Sequence, residues 1–149
     1  MNIIKPPILN SGDTVGLVSI SNNIYDRKER FERSIKIFEK EFGVKFKLSP
    51  HALGRHHYSS GTVQERLDDL HLFAADPEIK AIQFTVGGET AIELIDKIDY
   101  DLIKKNPKIY SGLSDCTTLL NPIFAKTGLI TFHGLEFSFL GYDGTLRYI

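Results

Sequence analysis

Short apolar stretches alternate with helix-patterned segments along most of the chain, and this alternation limits the folds available to it. Five stretches have the composition of buried strands: TVGLVSI at 14–20, VKFKL at 44–48, IKAIQFTV at 79–86, KIYSG at 108–112 and LITFHG at 129–134. Between the first two of these stretches, from residue 24 to 42, the apolar residues recur at the spacing of one face of a helix. Strands that alternate with helices form a parallel sheet covered on both faces. We therefore expect an α/β fold with three layers.

Residues typical of helix ends separate these segments. Gly43 is expected to end the first helix, because glycine adopts the left-handed backbone of a helix C-cap. Thr62 with Glu65, and Thr90 with Glu93, both have the spacing of a capping box. These signals predict helices after the second and third strands. No element is predicted for the final stretch, GYDGTLRYI.

Three strand-to-helix junctions are expected to meet at one edge of the sheet. They are residues 19–23, 87–89 and 112–115, each at the carboxyl end of a predicted strand. In open α/β sheets the ligand site lies beyond the carboxyl ends of the strands. The residues at these junctions are therefore the candidates for a functional site.

The composition excludes several classes of protein. With 149 residues the chain is expected to form one domain, and 18 basic against 19 acidic residues leave no positive field for nucleic acid. Cys116 is the only cysteine, so neither an internal disulfide nor a cysteine-built metal site is expected. The first residues lack the pattern of a signal peptide, and no apolar run is long enough to span a bilayer. We expect a soluble, cytoplasmic protein that does not bind membranes.

Ser114 lies at the junction after the fourth predicted strand, in KIYSGLSDCTTLL, and has two interpretations. A serine between a strand and a helix can act as a nucleophile, since the helix start presents free N–H groups to an oxyanion. Gly112 would permit a close approach of the backbone. The elbow motif G-x-S-x-G is incomplete, however, because Cys116 occupies the second glycine position. The local pattern alone favours a helix cap.

Gly87 and Gly88 follow the third strand and also have two interpretations. They can direct a backbone N–H into the same cleft, or they can form a tight turn before a helix capped by Thr90. Neither of the two glycine-rich phosphate-binding motifs occurs in the chain. A flavodoxin-like nucleotide-binding module is therefore an unsupported alternative.

No side chain stands out as a base for Ser114. His51, His56 and His57 share a polar loop, His71 belongs to a helix, and His133 ends the last predicted strand. The adjacent pair His56-His57 lacks the supporting ligands of a metal site, and no metal or cofactor is predicted.

The carboxylates offer no base either. Asp68 and Asp69, and the acidic residues in 99–101, are expected on solvated helix faces. Asp115 is expected in a first helical turn, where a negative charge is favourable and its side chain need not contact substrate.

Several segments together resemble the amino-terminal half of the serine LD-carboxypeptidase family, which includes the microcin-C-immunity peptidases. The resemblance is carried by SGDTVGLVSISN, ERLDDLHLFAADPEIKAIQFTVGGE, LIDKIDYDLIKKNPKIYSGLSDCTTLL and KTGLITFHG, in the order of the family and over nearly all of residues 8–139. The resemblance implies a flavodoxin-like first domain and a cytoplasmic, homo-oligomeric hydrolase that needs no metal. It favours Ser114 as nucleophile, with the backbone N–H groups of Gly88 and Asp115 as oxyanion donors.

The resemblance also implies the class of substrate. Family members cleave peptides that end in a D-amino acid, as in murein tetrapeptide recycling, or peptidyl-nucleotide antibiotics. The Glu and His of the family triad belong to a carboxyl-terminal domain that nothing in residues 1–149 matches. We therefore expect residues 1–149 to be the nucleophile-bearing domain, with negligible activity alone and an exposed apolar face. The alternative is a non-catalytic peptide-binding or interaction module.

Three residues depart from the family pattern. Ile20 replaces a usual proline, and Glu89 replaces a common aromatic residue after the two glycines. Pro122 falls inside the helix after Ser114, where it removes a hydrogen bond and is expected to kink or end that helix.

Overall fold

The computed structural model describes residues 2–134 and 136–141. Within them a five-stranded sheet has the order β2-β1-β3-β4-β5, and every neighbouring pair is parallel. The strands are β1 (Thr14–Val18), β2 (Lys45–Leu48), β3 (Ile79–Phe84), β4 (Ile109–Gly112) and β5 (Phe132–His133). The predicted parallel α/β fold is thus confirmed.

Helices of two kinds connect the strands. The α-helices are α1 (Lys28–Phe42), α2 (Val63–Ala75), α3 (Tyr100–Lys105) and α4 (Thr117–Thr127). The 3₁₀ helices span Tyr25–Arg27, Ala91–Lys97, Ser114–Cys116 and Phe137–Gly141. No α-helix in the described part of the chain is long and apolar enough to cross a membrane.

The sheet separates two apolar cores. The larger core packs α2, α3 and α4 against one face of the sheet, with Phe73, Ile103 and Leu120 buried in it. On the other face, Phe31 of α1 and Phe137 pack over Leu17 of β1. This division gives the three expected layers. Right-handed crossovers require the same division. The connection from β1 to β2 crosses the sheet in one direction and the later connections cross it in the other, so their helices lie on opposite faces.

Two helix ends form as the sequence predicts. The Thr62 hydroxyl accepts the Glu65 N–H at 3.3 Å, and the Glu65 carboxylate accepts the Thr62 N–H at 2.8 Å. Gly43 ends α1 with a left-handed φ of 68°. Both helix ends could be predicted from the sequence because each depends only on residues a few positions apart.

Three boundaries differ from the expectation. The first helix begins at Lys28 after a 3₁₀ turn, rather than at residue 24. The fifth strand is only Phe132–His133, and Leu129 instead forms an isolated bridge with Ile4. Helix α4 contains Pro122 and continues to Thr127, so the proline does not end it. The prediction for the final stretch falls largely on residues 142–149, which lie outside the described ranges.

The predicted capping box at Thr90 and Glu93 is wrong. Thr90 makes no side-chain cap, and the segment after it is a 3₁₀ helix. The physical reason is Arg66, whose guanidinium donates to the Thr90 hydroxyl at 3.1 Å and pairs with the Glu93 carboxylate. A partner from α2 thus occupies both groups that the box requires.

Candidate active site

The three junctions converge at the carboxyl edge of the sheet. The Asn22 N–H donates to the Gly87 carbonyl at 3.2 Å, which joins the loop after β1 to the loop after β3. The Ser21 hydroxyl donates to the Asp115 carboxylate at 2.6 Å, which joins the first of these loops to the junction after β4. The expected convergence is confirmed. The crevice forms because the chain leaves β1 and β3 toward opposite faces of the sheet.

Ser114 has a backbone conformation that is rare for a residue with a side chain. Its φ is 59°, in the left-handed region, between the end of β4 and the 3₁₀ helix that leads into α4. Its side chain is exposed, and its hydroxyl makes no hydrogen bond with another described residue. The helix-cap interpretation is therefore wrong. A strained strand-turn-helix junction that exposes a serine has the geometry of a nucleophile elbow.

Glycines let the backbone pack tightly around this elbow. A β-carbon on Gly87 would lie 2.9 Å from the Ser114 β-carbon, and one on Gly112 would lie 2.6 Å from the Cys116 β-carbon. The Cys116 side chain therefore packs behind the turn, in space that Gly112 leaves free because it has no side chain. Tight contact with Gly87 holds the loop after β3 directly against Ser114.

The two N–H groups expected to hold an oxyanion are unpaired within the described residues. Gly88, with φ 153°, donates its N–H to no described acceptor. Asp115 is the second residue of a helix, and the first N–H groups of a helix have no intrahelical partner. Both groups belong to the loops that meet at Ser114. The arrangement can therefore present two donors beside one hydroxyl.

The Asp115 side chain joins three elements of the site. One carboxylate oxygen accepts the Ser21 hydroxyl and also the Ala91 N–H at 3.0 Å. The other accepts the Thr118 hydroxyl of α4 at 3.1 Å. With all three bonds formed, Asp115 fixes the position of the β3 loop relative to the elbow.

Arg66 is a buried residue at the site that sequence reasoning missed. Its side chain is only 2% exposed, and its guanidinium donates to the carbonyls of Ile20 at 2.9 Å and Thr90 at 3.1 Å. It therefore connects α2 to the loops after β1 and β3. A signal was present in the sequence, because Arg66 lies four residues before Leu70 and therefore on the same side of the helix as this apolar residue.

His51 forms an ordered pair with Asp69, away from Ser114. Its Nδ1 lies 2.8 Å from the carboxylate, which also accepts the Ser49 hydroxyl at 2.5 Å. The hydrogen bond to Asp69 raises the pKa of His51. This loop follows β2, three strand positions from β4, or about 14 Å at ordinary strand spacing. Asp69 is buried, so its predicted place on a solvated face is wrong.

Cys116 is not a candidate nucleophile. It is fully buried, and burial raises the pKa of its thiol to about 12. The thiolate is the reactive form of cysteine, so almost none is present at neutral pH. Within residues 2–134 and 136–141, no three His, Cys, Asp or Glu side chains are grouped to hold a metal ion.

The family of the chain follows from this fold and from a direct match. Residues 15–134 match the model of the LD-carboxypeptidase N-terminal domain, and the chain belongs to that family. It is 39% identical over 130 residues to a probable murein peptide carboxypeptidase of Bacillus subtilis, covering 87% of this chain and 40% of that protein. It is 41% identical over 125 residues to the microcin C7 self-immunity protein MccF of Escherichia coli, covering 83% of this chain and 36% of MccF.

Solved structures give the same result. The structure of MccF without ligand matches with a TM-score of 0.90 at 35% identity, covering 97% of this chain and 43% of MccF. An MccF-like protein from Bacillus anthracis matches equally well, with a TM-score of 0.90 and coverage of 95% and 43%. MccF has also been solved in complex with aspartyl sulfamoyl adenosine. The chain thus spans about two fifths of the length of these relatives.

Proposed function

We propose that residues 1–149 form the nucleophile-bearing part of a serine LD-carboxypeptidase, with Ser114 as the attacking residue. The observation that carries the proposal is the left-handed backbone of Ser114, with φ 59°, at an exposed strand-to-helix junction. Such strain persists only where the surrounding structure enforces it, and it clusters at functional sites. Gly87 and Asp115 provide that enforcement here.

The proposed reaction needs an oxyanion site beside the nucleophile. When the Ser114 oxygen attacks a carbonyl carbon, a negative charge develops on the carbonyl oxygen. The N–H groups of Gly88 and Asp115 would donate to this oxygen. Two observations support this assignment: both N–H groups come from loops in contact with Ser114, and neither has another described acceptor. One such donor typically contributes about 10²–10³-fold in kcat.

The base that activates Ser114 would come from outside residues 1–149. No described histidine contacts the Ser114 hydroxyl, and His51 is held by Asp69 at another strand. Family resemblance assigns this role to a Glu-His pair in a second domain. Since triad members act together, losing them lowers kcat by about 10⁴-fold or more. We infer that this chain alone has negligible peptidase activity.

The substrate class is proposed from the relatives. It would be a peptide ending in a D-amino acid, cleaved at an L,D-linkage, or a peptidyl-nucleotide related to the aspartyl sulfamoyl adenosine bound in a structure of MccF. Either substrate would be hydrolysed in the cytoplasm by a homo-oligomer, without a metal or other cofactor.

A chimaera tests the function. Residues 15–134 of this chain would replace the matching segment of the Bacillus subtilis relative, and release of D-alanine from a murein tetrapeptide would be measured. We expect activity in the chimaera, a loss of at least about 10³-fold in Ser114→Ala, and little change in Ser111→Ala. Ser111 is a matched control in β4, three residues earlier. A folded chimaera whose activity does not depend on Ser114 would contradict the proposal and favour a non-catalytic module.

A further inference from the structure

Arg66 is buried more completely than an ion pair requires. It is 1% exposed, whereas the side chain of Glu93, with which it forms its ion pair, is 48% exposed. A guanidinium stays charged in proteins, so removing it from water costs free energy that its hydrogen bonds must offset. An ion pair with a partner at the surface could form without this burial. The contacts of Arg66 inside the molecule therefore account for its position.

These inner contacts join the backbones of two different loops. The Nη1 group of Arg66 donates to the Ile20 carbonyl, in the loop after β1, at 2.9 Å. The same group donates to the carbonyl and to the hydroxyl of Thr90, in the loop after β3, each at 3.1 Å. A guanidinium presents its donors in a rigid planar fork, so acceptors bound to one guanidinium are held at a fixed separation. Arg66 therefore sets the spacing between the two loops.

Gly88 lies close to both attachment points. Thr90 follows Gly88 by two residues, and Ile20 precedes Asn22 by two residues. The Asn22 N–H donates to the Gly87 carbonyl at 3.2 Å, and a β-carbon on Gly88 would lie 2.5 Å from the Asn22 side-chain oxygen. Gly88 thus packs between two loops that a single side chain holds together.

The same attachment extends to the second proposed oxyanion donor. The Thr90 N–H donates to the Ser21 hydroxyl at 3.2 Å, and this hydroxyl donates to the Asp115 carboxylate at 2.6 Å. The Ala91 N–H donates to the same carboxylate oxygen at 3.0 Å. Two hydrogen bonds therefore lead from the residue that Arg66 binds to the residue whose backbone N–H follows the nucleophile.

We propose that Arg66 is a positioning residue for the oxyanion site: it holds the N–H groups of Gly88 and Asp115 at the spacing that the developing charge requires. The inference rests on the proposed function, since it concerns the donors assigned there. Oxyanion donors must be in place before the charge develops, and a misplacement of about 1 Å can cost about 10²-fold in rate. Because they act in the transition state, their misplacement lowers kcat and leaves substrate binding largely intact.

The test introduces Arg66→Lys into the chimaera that carries residues 15–134 of this chain. This variant keeps a positive charge for Glu93 but lacks the fork that binds both loops. We expect kcat to fall about 10²-fold and KM to change by less than about threefold. Arg33→Lys makes the same replacement at an exposed position on α1 and should leave both constants unchanged.

A pair of variants at Thr90 tests the same bond with Arg66 in place, and it decides the question if Arg66→Lys does not fold. Thr90→Val removes the hydroxyl that accepts from Arg66 and keeps the shape of the side chain. We expect kcat to fall about tenfold, because a hydrogen bond to a charged group is lost. Thr90→Ser keeps the hydroxyl and should restore most of the wild-type kcat. An equal loss in the two variants would contradict the proposal.

A measurement on residues 1–149 alone separates positioning from general stability. Backbone nitrogen relaxation gives the order parameter of the Gly88 amide, which we expect at about 0.85 in the wild type and near about 0.6 in Arg66→Lys. The amides of β3, Ile79–Phe84, should keep their values. An unchanged order parameter at Gly88, or an equal fall throughout β3, would overturn the positioning role.

The positioning role and the proposed function fail in different ways. A chimaera whose activity is indifferent to Ser114→Ala rejects the proposed function. Activity that depends on Ser114 while kcat is unchanged in Arg66→Lys rejects only the positioning role, even if the melting temperature falls. A rise in KM without a loss of kcat, or an equal loss of kcat in Arg33→Lys, would also overturn it.

Discussion

Ser114 adopts a conformation that its own side chain disfavours. A left-handed φ brings the β-carbon of an L-residue close to the backbone, at a cost of about 1–2 kcal/mol. The neighbouring loops compensate, because Asp115 bonds to Ser21, Ala91 and Thr118 at the same time. The stability of the rest of the site therefore maintains the exposure of one hydroxyl.

Glycine at position 114 should stabilise the chain. Ser114→Gly removes the β-carbon that makes φ 59° unfavourable, and we expect the free energy of unfolding to rise by about 1 kcal/mol. Ser114→Ala keeps a β-carbon and should change it by less than about 0.5 kcal/mol. Urea denaturation of the three proteins measures both differences. A glycine variant less stable than the alanine variant would contradict the assigned backbone conformation.

His51 should make stability depend on pH. Its bond to Asp69 raises its folded-state pKa above the ordinary value of 6.5. The bond therefore stabilises the fold fully below the unfolded pKa, and this contribution is lost as pH rises through the folded pKa. We expect the difference in melting temperature between wild type and His51→Gln to shrink from about pH 5.5 to about pH 8. A difference that grows over this range would contradict the pairing with Asp69.

At the scale of elements, β4 and α4 meet at a turn with almost no spare space. Gly112 ends β4, and a β-carbon there would lie 2.6 Å from the Cys116 β-carbon and 3.1 Å from that of Phe84. Neither neighbour is the free end of a flexible side chain, so the backbone would have to move. The strand and the helix are thus held in one relative position by the lack of a side chain at the end of β4.

Gly112→Ala should therefore disturb the elbow. We expect it to lower the free energy of unfolding by about 1–3 kcal/mol through overpacking. Gly134→Ala is the matched control just after β5, since its β-carbon would meet only the Ser111 hydroxyl at 3.6 Å. Thermal unfolding of both variants gives the comparison. Equal effects of the two substitutions would show that the close contact at Gly112 relaxes freely.

The sequence predicts these elements where the determining contacts are local. The five strands, the Thr62–Glu65 capping box and the Gly43 helix end each depend on residues close together in the chain. The box at Thr90 fails because Arg66, 24 residues earlier, binds its hydroxyl. Asp69 is misplaced for a similar reason, since its partners come from the loop after β2. The family pattern indicated Ser114, but the local pattern carried no signal for its φ.

At the scale of the whole molecule, the two faces of the sheet are covered unequally. Three α-helices pack on one face, whereas α1 and the 3₁₀ helix at 137–141 pack on the other. A groove of about 410 Å³ remains on the α1 side, lined mainly by apolar residues that include Phe46, Ala81 and Ile109. Phe132 of β5 pairs in register with Ser111, which also lines the groove, and is 44% exposed. These residues form an apolar surface on the α1 side of the sheet.

This face should make the isolated chain self-associate. We expect the weight-average mass in sedimentation experiments to rise with concentration, and Phe132→Gln to reduce that rise severalfold, because exposed contiguous apolar surface favours association. Leu72→Gln is the control, since Leu72 is similarly exposed, at 52%, on α2. A chain that stays monomeric at high concentration would contradict this prediction.

The strand order also dictates when the site can form during synthesis on the ribosome. Strand β1 lies between β2 and β3, so its second edge waits for residues 79–84, on the order of ten seconds later at ordinary elongation rates. Ser114 emerges after both loops that it will contact. The loops after β1 and β3 are therefore translated before the strained turn that they contact, whereas α4 and β5 are translated after it. A nascent chain of this kind has already translated the first three strands and both contacting loops before it must hold the costly conformation.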